Sequence, residues 1–493
     1  MHSDHSRHSY GYSEKDIEAV DAAAKALAGE ACEHNSHAGA VEHGSSPPRD
    51  PARGSDPEEK IDRTVSPPTS SDDILPSDED LTYPEGGLTA WLTVFGAWSG
   101  MTAGIGLLNT VASLQSYLST HQLSTYPLST IGWIFSLQAL LVFFCGIQIG
   151  PLFDAIGPRK LVAAGSVLLV VSMMVLGECT EYWHFVLVFS LLNGLGGSLL
   201  LTPPLASIGH YFNRKRAFAT GIAMSGPSMG GVIFPLVFRA VYPRAGFAWA
   251  CRALGLIMAL LLVFANLFIR SRLPRRKVTM ADVLPNFRIL LDGDGCLALC
   301  TLGLFLMELG LFIPLAYLTS YCIANGMDEA FSYNILAILN AASVFGRALP
   351  GFVADRLGRY NTDAGLLLLS ALTALGIWLP LTLARPTGPA FTGGAVVFAI
   401  TFGFASGSNL SLTGPCIGQL CDTRHYGRYF STCYVFISFA ALIGIPVAGN
   451  ILDANGGDYW GLIVFTGIAY VGSAVCMAAV RVIRVGWTWK AVF

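Results

Sequence analysis

The sequence predicts an all-α membrane protein with about twelve transmembrane helices in two pseudo-symmetric halves of six. Hydrophobic residues make up 53% of the 493-residue chain and charged residues 13%, whereas a soluble domain carries about 25% charged residues. From residue 88 onward, apolar runs long enough to cross a bilayer alternate with short polar breaks. One loop motif also occurs twice, 201 residues apart, which indicates a duplicated unit of six helices.

The apolar runs define twelve expected spans of roughly 20 residues each, the length needed to cross the hydrocarbon core. Their expected limits are 89–113, 131–153, 160–179, 183–205, 217–241, 248–270, 296–320, 333–354, 362–384, 390–413, 429–451 and 459–483. These limits divide the chain into four regions. The regions are a disordered acidic cytoplasmic tail (1–82), a first half (83–271), a central cytoplasmic loop (272–295) and a second half (296–493).

Charge separates the tail from the rest of the chain. Residues 1–82 hold 7 Lys and Arg against 18 Asp and Glu, and the remainder holds 23 against 15. Of those 23 basic residues, 18 fall on one side of the predicted membrane and 4 on the other. This bias places both termini in the cytoplasm. We expect a plasma-membrane protein, with the vacuolar membrane as the alternative.

The sequence indicates neither an enzyme nor a metal or cofactor site. Most of the 11 cysteines lie in apolar runs, and none has metal-ligand spacing. Gly226-Pro-Ser228-Met-Gly230 matches the esterase pattern G-x-S-x-G, but that pattern requires a preceding strand and His and Asp partners. Here it falls within a predicted span, where glycines four residues apart indicate helix packing. The expected partners are the lipid bilayer and a small-molecule substrate, with no nucleic acid and with any ancillary protein unknown.

The duplicated motif follows the second and eighth predicted spans. Its first copy contains Gly150, Asp154, Gly157 and Arg159, and its second contains Gly351, Asp355, Gly358 and Arg359. The motif resembles the loop 2–3 signature of the major facilitator superfamily, G-x-x-x-D-R-x-G-R-R. The first copy departs from it at two usually basic positions, which hold Ala155 and Pro158. The resemblance implies a gating role for both copies at the cytoplasmic ends of the two halves.

Two further motifs resemble the monocarboxylate transporters, in particular their fungal permease-like branch. Residues 85–91 read Glu-Gly-Gly-Leu-Thr-Ala-Trp before the first span, and residues 211–221 read Tyr-Phe-Asn-Arg-Lys-Arg-Ala-Phe-Ala-Thr-Gly at the start of the fifth. The matching positions are Glu85, Gly86, Gly87, Trp91, Tyr211, Phe212, Arg214, Arg216 and Gly221. The resemblance covers about residues 84–490 and implies secondary transport by alternating access.

Two positions depart from that family where its proton-coupled lactate mechanism needs charge. Asn109 stands where animal members carry a Lys, and Ser343 stands where they carry an Asp, four residues before Arg347. Lactate and proton cotransport therefore cannot be carried over to this chain. Proton coupling is left open, and the loss of charge fits a bulkier or neutral cargo.

Arg347 is the first candidate for contact with a substrate. It is the one Lys or Arg in the middle of a predicted span, where insertion of such a residue costs about 2.5–3.5 kcal/mol unless it faces a cavity or a partner. Its planar guanidinium can bind a carboxylate with two parallel hydrogen bonds. The alternative is a structural ion pair with Asp355 or Glu308.

Other polar residues inside predicted spans are weaker candidates. Glu308 could carry a proton in place of the missing Asp, or could hydrogen-bond a neighbouring helix without a role in transport. Asn109, Asn340 and Tyr317 are candidates for substrate binding. Polar groups of this kind more often join helices together.

The function that these features favour is secondary active transport of a small organic anion or related metabolite. One alternative is export of a neutral or bulky secondary metabolite, or carriage of a vitamin. An alternative of another class is a substrate sensor that keeps the fold but moves no solute. A flux assay separates the sensor from the transporters.

Overall fold

The computed structural model describes residues 83–272, 287–291, 294–421 and 426–487. Side chains are not described at 112, 113, 116, 128, 129, 154, 330 and 426–428. The predicted acidic tail (1–82) and most of the predicted central loop (272–295) lie outside this part of the chain. Within it, the regular structure is helical throughout.

Eleven helices of the described chain are long and apolar enough to cross a membrane. They are α1 (Leu88–Thr110), α2 (Thr130–Phe153), α3 (Pro158–Leu176), α4 (Tyr182–Gly209), α5–α6 (Arg216–Phe268), α7 (Cys296–Ala324), α8 (Phe331–Leu357), α9 (Arg359–Ala384), α10 (Pro389–Gln419), α11 (Tyr429–Ala454) and α12 (Trp460–Val485). The 53-residue helix α5–α6 contains one non-helical residue, Gly246, with φ 83°. A side chain is strained at that φ, so the glycine lets one helix supply two spans, α5 before it and α6 after it.

Several helices extend beyond the membrane-spanning segments given above or change their helical pitch within them. A 3₁₀ turn at Gly106–Thr110 leads from α1 into the helix Val111–Thr120. π-helical turns interrupt α4 at Val186–Asn193 and α9 at Ala374–Trp378. The helix containing α8 begins at Glu329, and a 3₁₀ helix at Phe287–Leu291 precedes α7. Such pitch changes are common where helices line functional cavities.

Glycines bring α1 and α5 into close contact within the first half. A Cβ on Gly226 would lie 2.5 Å from the backbone oxygen of Trp98, and one on Gly230 would lie 2.7 Å from the Cα of Gly106. Real Cβ atoms essentially never come this close to backbone. The serine between these glycines thus lies on a packed helix, as the sequence predicts, and not on an esterase turn.

The two halves meet along two helix pairs, α5 with α8 and α2 with α11. In the first pair, a Cβ on Gly351 would lie 2.6 Å from the backbone oxygen of Ala217, so the backbones are nearly in contact. In the second pair, the rings of Phe143 and Tyr434 lie 5.9 Å apart. We call the end of the bundle that holds residues 213–218 and 355–359 the basic end. The sequence predicts that it faces the cytoplasm.

Candidate functional site

Arg347 lies in α8 at the contact between the halves, with 6% of its surface exposed. Its Nη1 donates a 2.6 Å hydrogen bond to the backbone oxygen of Met224, on α5 of the other half. Its Nε has no hydrogen-bond partner. Since a guanidinium carries five N–H donors, this side chain can still donate to an acceptor that enters from the space beside it.

That space is a narrow cavity of about 30 Å³ between the halves, with Arg347 in its wall. The wall comes from α1, α2, α7, α8 and α10; its other polar members are Asn109, Asn340, Ser343 and Ser406, and its aromatic members are Phe143 and Phe312. A volume of this size holds about two water molecules. A metabolite therefore needs the cavity to widen.

Two asparagines bring α1 and α8 together at this cavity. Asn340 Nδ2 donates to the backbone oxygens of Leu336 at 3.1 Å and of Asn109 at 3.5 Å. The Nδ2 of Asn109 is buried without a partner. A Cβ on Gly231 of α5 would lie 2.7 Å from both asparagine side chains, so glycine makes room for the pair. The cavity wall thus holds two unpaired donor atoms, this amide nitrogen and the Nε of Arg347.

Ser343, at the position where the related transporters carry an Asp, also faces α5. Its hydroxyl accepts a 3.1 Å hydrogen bond from the hydroxyl of Ser228, and both residues are buried. A neutral hydrogen bond thus crosses the contact between the halves at this position.

Two α7 residues that the sequence singles out lie outside the cavity wall. Glu308 is fully buried, and neither of its carboxyl oxygens has a hydrogen-bond partner. It interacts electrostatically with Arg347, but within the described chain no ion pair of 4 Å or less joins Arg347 to Glu308 or to Asp355. Tyr317 donates its hydroxyl to the backbone oxygen of Ile445 on α11, at 3.2 Å, so it joins helices.

Asp355, in the second copy of the duplicated motif, links the halves at the basic end. Its carboxylate accepts hydrogen bonds from the backbone N–H groups of Ala217 at 3.2 Å and Phe218 at 2.9 Å. These are unpaired donors of the first turn of α5, where the helix dipole also favours a negative charge. Arg359 adds a 3.1 Å hydrogen bond from Nη2 to the backbone oxygen of Asn213. Both contacts have to break if the halves separate at this end.

The first copy of the motif shares the backbone conformation of the second. Gly157 and Gly358 end their helices with φ of 78° and 100°, a region that favours glycine. Gly150 has open space where a Cβ would be, unlike Gly351, and Arg159 is exposed. The side chain of Asp154 lies outside the described part of the chain.

The two transporter-like signatures contact each other at the basic end. Glu85 accepts hydrogen bonds from the backbone N–H groups of residues 213–215, at 2.8, 2.6 and 3.1 Å. Its own N–H donates to the backbone oxygen of Tyr211 at 3.1 Å, and the rings of Trp91 and Phe212 lie 5.2 Å apart. Glu85, Gly86 and Gly87 all have positive φ, of 52°, 158° and 88°. The segment before α1 thus holds the turn whose Asn213 oxygen accepts a hydrogen bond from Arg359 of the other half.

The remaining signature residues lie along the same contact. Arg216 begins α5, and its guanidinium lies close to Gly209. A Cβ on Gly221 would overlap the backbone oxygen of Arg347, so this glycine permits the close approach of α5 and α8. Arg214 supplies one of the backbone N–H groups that Glu85 binds.

Sequence reasoning missed Ser406 and Asp363, and it considered Ser228 only as part of an esterase pattern, not as a partner of Ser343. The serines fall in apolar runs, where single hydroxyls are common and do not indicate a binding site. Asp363 lies one turn after the polar start of α9, where a charge is ordinarily solvated, yet it is 1% exposed. Its spacing of four residues from Arg359 was the one available signal, since residues four apart share a helix face.

Comparison with known proteins agrees with this architecture. A family model for the Major Facilitator Superfamily matches residues 87–414. The riboflavin transporter of Saccharomyces cerevisiae is 34% identical over 85% of this chain and 83% of its own length. The aspyridones efflux protein of Emericella nidulans is 35% identical over 77% and 75%. The agnestins efflux protein of Paecilomyces divaricatus is 35% identical over 82% and 90%.

A solved structure shares the fold. The crystal structure of the human organic anion transporter TETRAN superimposes with a TM-score of 0.59 and covers 79% of this chain and 98% of its own. The two sequences are 15% identical, so the likeness concerns the arrangement of helices alone.

Proposed function

The chain belongs to the Major Facilitator Superfamily, and we propose that it moves a small organic anion or related metabolite by alternating access. It is a multi-pass integral membrane transporter and not an enzyme. The observation that carries the proposal is the guanidinium of Arg347, buried in the wall of a cavity between the halves with its Nε unpaired. A carboxylate or enolate oxygen is the acceptor that suits this donor.

Alternating access is supported by the contacts that close the basic end. The cavity is too small for a metabolite, and Asp355 and Arg359 join the halves at the basic end. Breaking these few hydrogen bonds would let the halves rotate apart, as in other transporters built from repeats. The present conformation is then the one closed at the basic end.

A proton link is proposed through Glu308. An ionised carboxylate without partners is strongly disfavoured in a dry interior, so Glu308 would be neutral while Arg347 binds an anion. When the anion dissociates, the positive charge of Arg347 is no longer neutralised and favours the ionised form of Glu308. Glu308 would then release its proton. His210, outside the membrane spans, is excluded as the carrier because burial lowers its pKa to about 4, so it is neutral at physiological pH.

A second candidate is a neutral or bulky metabolite, including a vitamin. The relatives are named for riboflavin, aspyridones and agnestins, which supports planar organic cargo. The neutral Asn109 and Ser343, where related transporters carry charge, favour the same class. The unpaired Nδ2 of Asn109 and Nε of Arg347 would then bind carbonyl oxygens.

Counterflow of radiolabelled compounds in proteoliposomes tests both candidates. We expect Arg347→Lys to reduce transport of an anion by about tenfold or more, since a hydrogen bond to a charged group contributes about 1.5–3 kcal/mol. Arg347→Gln should abolish anion transport but spare a neutral cargo. Arg385→Gln is the matched control, because Arg385 is exposed and pairs with Asp458 far from the cavity.

Membrane abundance is measured beside transport for each variant. Unchanged anion transport by Arg347→Gln at normal abundance would overturn the anion proposal. Specific binding without counterflow in the wild type would identify a sensor and overturn transport altogether.

We further propose that the chain belongs to the fungal branch of the monocarboxylate transporters and lies in the plasma membrane with both termini cytoplasmic. The paired signatures at Glu85 and 211–221 support the branch, and the bias of basic residues supports the orientation. Antibody access to terminal tags in intact and permeabilised cells tests the orientation. Staining of an N-terminal tag on intact cells would contradict it.

A further inference from the structure

Asp363 is a second buried carboxylate, separate from the cavity. It lies in α9 with 1% of its surface exposed, and neither of its carboxyl oxygens has a hydrogen-bond partner. In the described chain it is one of three buried charged residues, with Glu308 and Arg347. An ionised carboxylate left unpaired in this environment is strongly disfavoured. The site therefore suits the neutral acid, with a proton bound.

In the part of the chain that the structure describes, the titratable groups placed against Asp363 are neutral. Cys300 of α7 and Cys416 of α10 lie near its carboxyl group. Tyr360, one turn before it in α9, donates its hydroxyl to the backbone oxygen of Cys416 at 3.0 Å. None of these groups supplies a cation that would hold the carboxylate in its charged form.

The nearby basic side chains of the neighbouring helices bind elsewhere. Arg481 of α12 donates to the side-chain oxygen of Asn361 and to the backbone oxygen of Gly486. Arg356, near the end of α8, is exposed and lies over the ring of Phe352 at 4.1 Å.

Among the described side chains, Arg359 is the cation best placed to reach Asp363. The two residues are four apart in α9 and so lie on one face of the helix, with Cβ atoms about 5–6 Å apart by helix geometry. At present the guanidinium of Arg359 donates to the backbone oxygens of Asn213 at 3.1 Å and Pro415 at 3.5 Å. Asn213 belongs to the other half. Arg359 thus keeps its contact with the first half only while the basic end is closed.

We propose that Asp363 is a proton-binding site coupled to the basic end through Arg359. When the halves separate there, Arg359 loses Asn213 and pairs with Asp363. The O–H bond of the Asp363 carboxyl group breaks, the electron pair stays on the oxygen, and the proton passes to water entering at the opened end. Closure reverses each step. The proposal rests on the alternating access proposed above but on no particular substrate.

The first half cannot form this pair. At the 201-residue spacing of the duplicated motif, Pro158 corresponds to Arg359 and Val162 corresponds to Asp363. The cation of the first copy, Arg159, is displaced by one position, and the residue four positions after it is Ala163, so only the second copy has a cation and an acid four residues apart. A coupled pair gives this pattern a physical reason.

Infrared difference spectroscopy on the full chain in lipid nanodiscs tests for the proton. We expect a protonated carboxyl band that disappears as pH rises, shifts on ¹³C labelling of aspartate carboxyl groups and is absent from Asp363→Asn. Asp458→Asn, at an exposed acid of the same half, is the matched control and keeps the band. A band that does not shift with labelled aspartate, or that persists in Asp363→Asn, overturns the site.

Pulsed dipolar spectroscopy between spin labels on the two halves at the basic end tests the coupling. The ratio of open to closed wild-type molecules should rise with pH by up to about tenfold per unit, the limit for release of one proton. Asp363→Asn mimics the protonated acid and should keep the same low ratio of open to closed molecules at every pH. Arg359→Gln should keep the infrared band but lose the dependence of opening on pH.

A wild-type ratio that does not change with pH overturns the coupling, as does an Arg359→Gln variant that keeps the full dependence. Neither measurement uses a substrate. A failure of the transport assay therefore does not overturn the proton site at Asp363. A failure of the infrared or dipolar measurement likewise does not overturn the proposed transport.

Discussion

The two halves share a helical plan and a duplicated loop, yet they bury different kinds of polar group. In the described chain, the second half buries Glu308, Arg347 and Asp363, while the buried polar side chains of the first half are all neutral. The duplicated helices show where the difference arises. At the 201-residue spacing, Arg347 corresponds to Gly146 and Asp363 to Val162.

This difference indicates a division of labour between halves of one fold. The first half contributes backbone acceptors and helix N-termini, such as the oxygen of Met224 and the N–H groups of Ala217 and Phe218. The second half contributes the charged side chains that bind them. A change in the charge state of a side chain in the second half can thus strengthen or weaken its hydrogen bonds to the backbone of the first half.

Moving the charge to the first half should have the largest effect. Gly146→Arg places a cation inside a membrane helix, and insertion of a cation there costs about 2.5–3.5 kcal/mol. Even a Cβ at this position would lie 2.9 Å from the hydroxyl of Thr202. We expect loss of most folded protein, measured as the monodisperse fraction on size-exclusion chromatography in detergent. Gly146→Ala, which adds the Cβ alone, should lose much less. A normal Gly146→Arg profile would show that the first half tolerates charge equally well.

Removing the acid nearest the cavity should remove the fall of transport as pH rises. If Glu308 must be protonated for anion binding, wild-type transport falls as pH rises, by up to about tenfold per unit. Glu308→Gln resembles the protonated acid and should lose this fall of transport between pH 5 and 8, measured by exchange at equal pH on both sides. A fall that persists in Glu308→Gln but vanishes in Asp363→Asn would assign the proton to the second site.

Neutralising the aspartate in either copy of the gating motif should slow transport, but by different amounts. Asp355→Asn weakens the hydrogen bonds to the first turn of α5, worth about 0.5–2 kcal/mol, and should slow transport about twofold to thirtyfold. The order of preference among substrates should not change, because Asp355 lies outside the cavity. Asp154→Asn should also slow transport, but less, since Ala155 and Pro158 weaken its motif. A changed preference in either variant, measured by competition, would contradict a gating role.

Removing a neutral polar group from the first half should have the smallest effect. Asn193 accepts a 2.6 Å hydrogen bond from Gln138 and donates one of 3.0 Å to Ser172. Asn193→Ala should lower stability by about 0.6–1.7 kcal/mol, the usual range for such bonds in membranes, seen as a lower Tm. Transport and its pH profile should be unaffected. A change in selectivity would instead indicate that this network contributes to the substrate site.

The sequence predicted the spans well because bilayer thickness alone sets their length. It also placed Arg347 at mid-helix, since a lone cation in an apolar run is conspicuous. It separated α5 from α6 at residues 242–247, where the structure continues the helix around Gly246. A loop between two helices and a single non-helical residue within one helix both appear in a sequence as a short polar break between apolar runs. The sequence therefore could not distinguish them.

The partners of the charged residues could not be predicted in the same way. Tyr317 and Asn109 are both polar residues in apolar runs, but the direction of a side chain around its helix depends on packing with other helices. Asn109 faces the cavity, whereas Tyr317 binds α11. Asp363 was missed because α7 and α10 bury it, and sequences distant from it supply those helices.

The hydrogen bonds between Glu85 and residues 213–215 have a consequence for how the chain is made. They join positions 128 to 130 apart, so the start of α1 leaves the ribosome long before its partner does. During synthesis α1 can insert, but its leading segment stays unfixed until α4 has crossed the membrane and α5 has begun. Contacts between distant residues form late and slowly. The first helix to insert is therefore secured only after three more spans have crossed, and folding intermediates of this half should expose the Glu85 segment to proteases or chaperones.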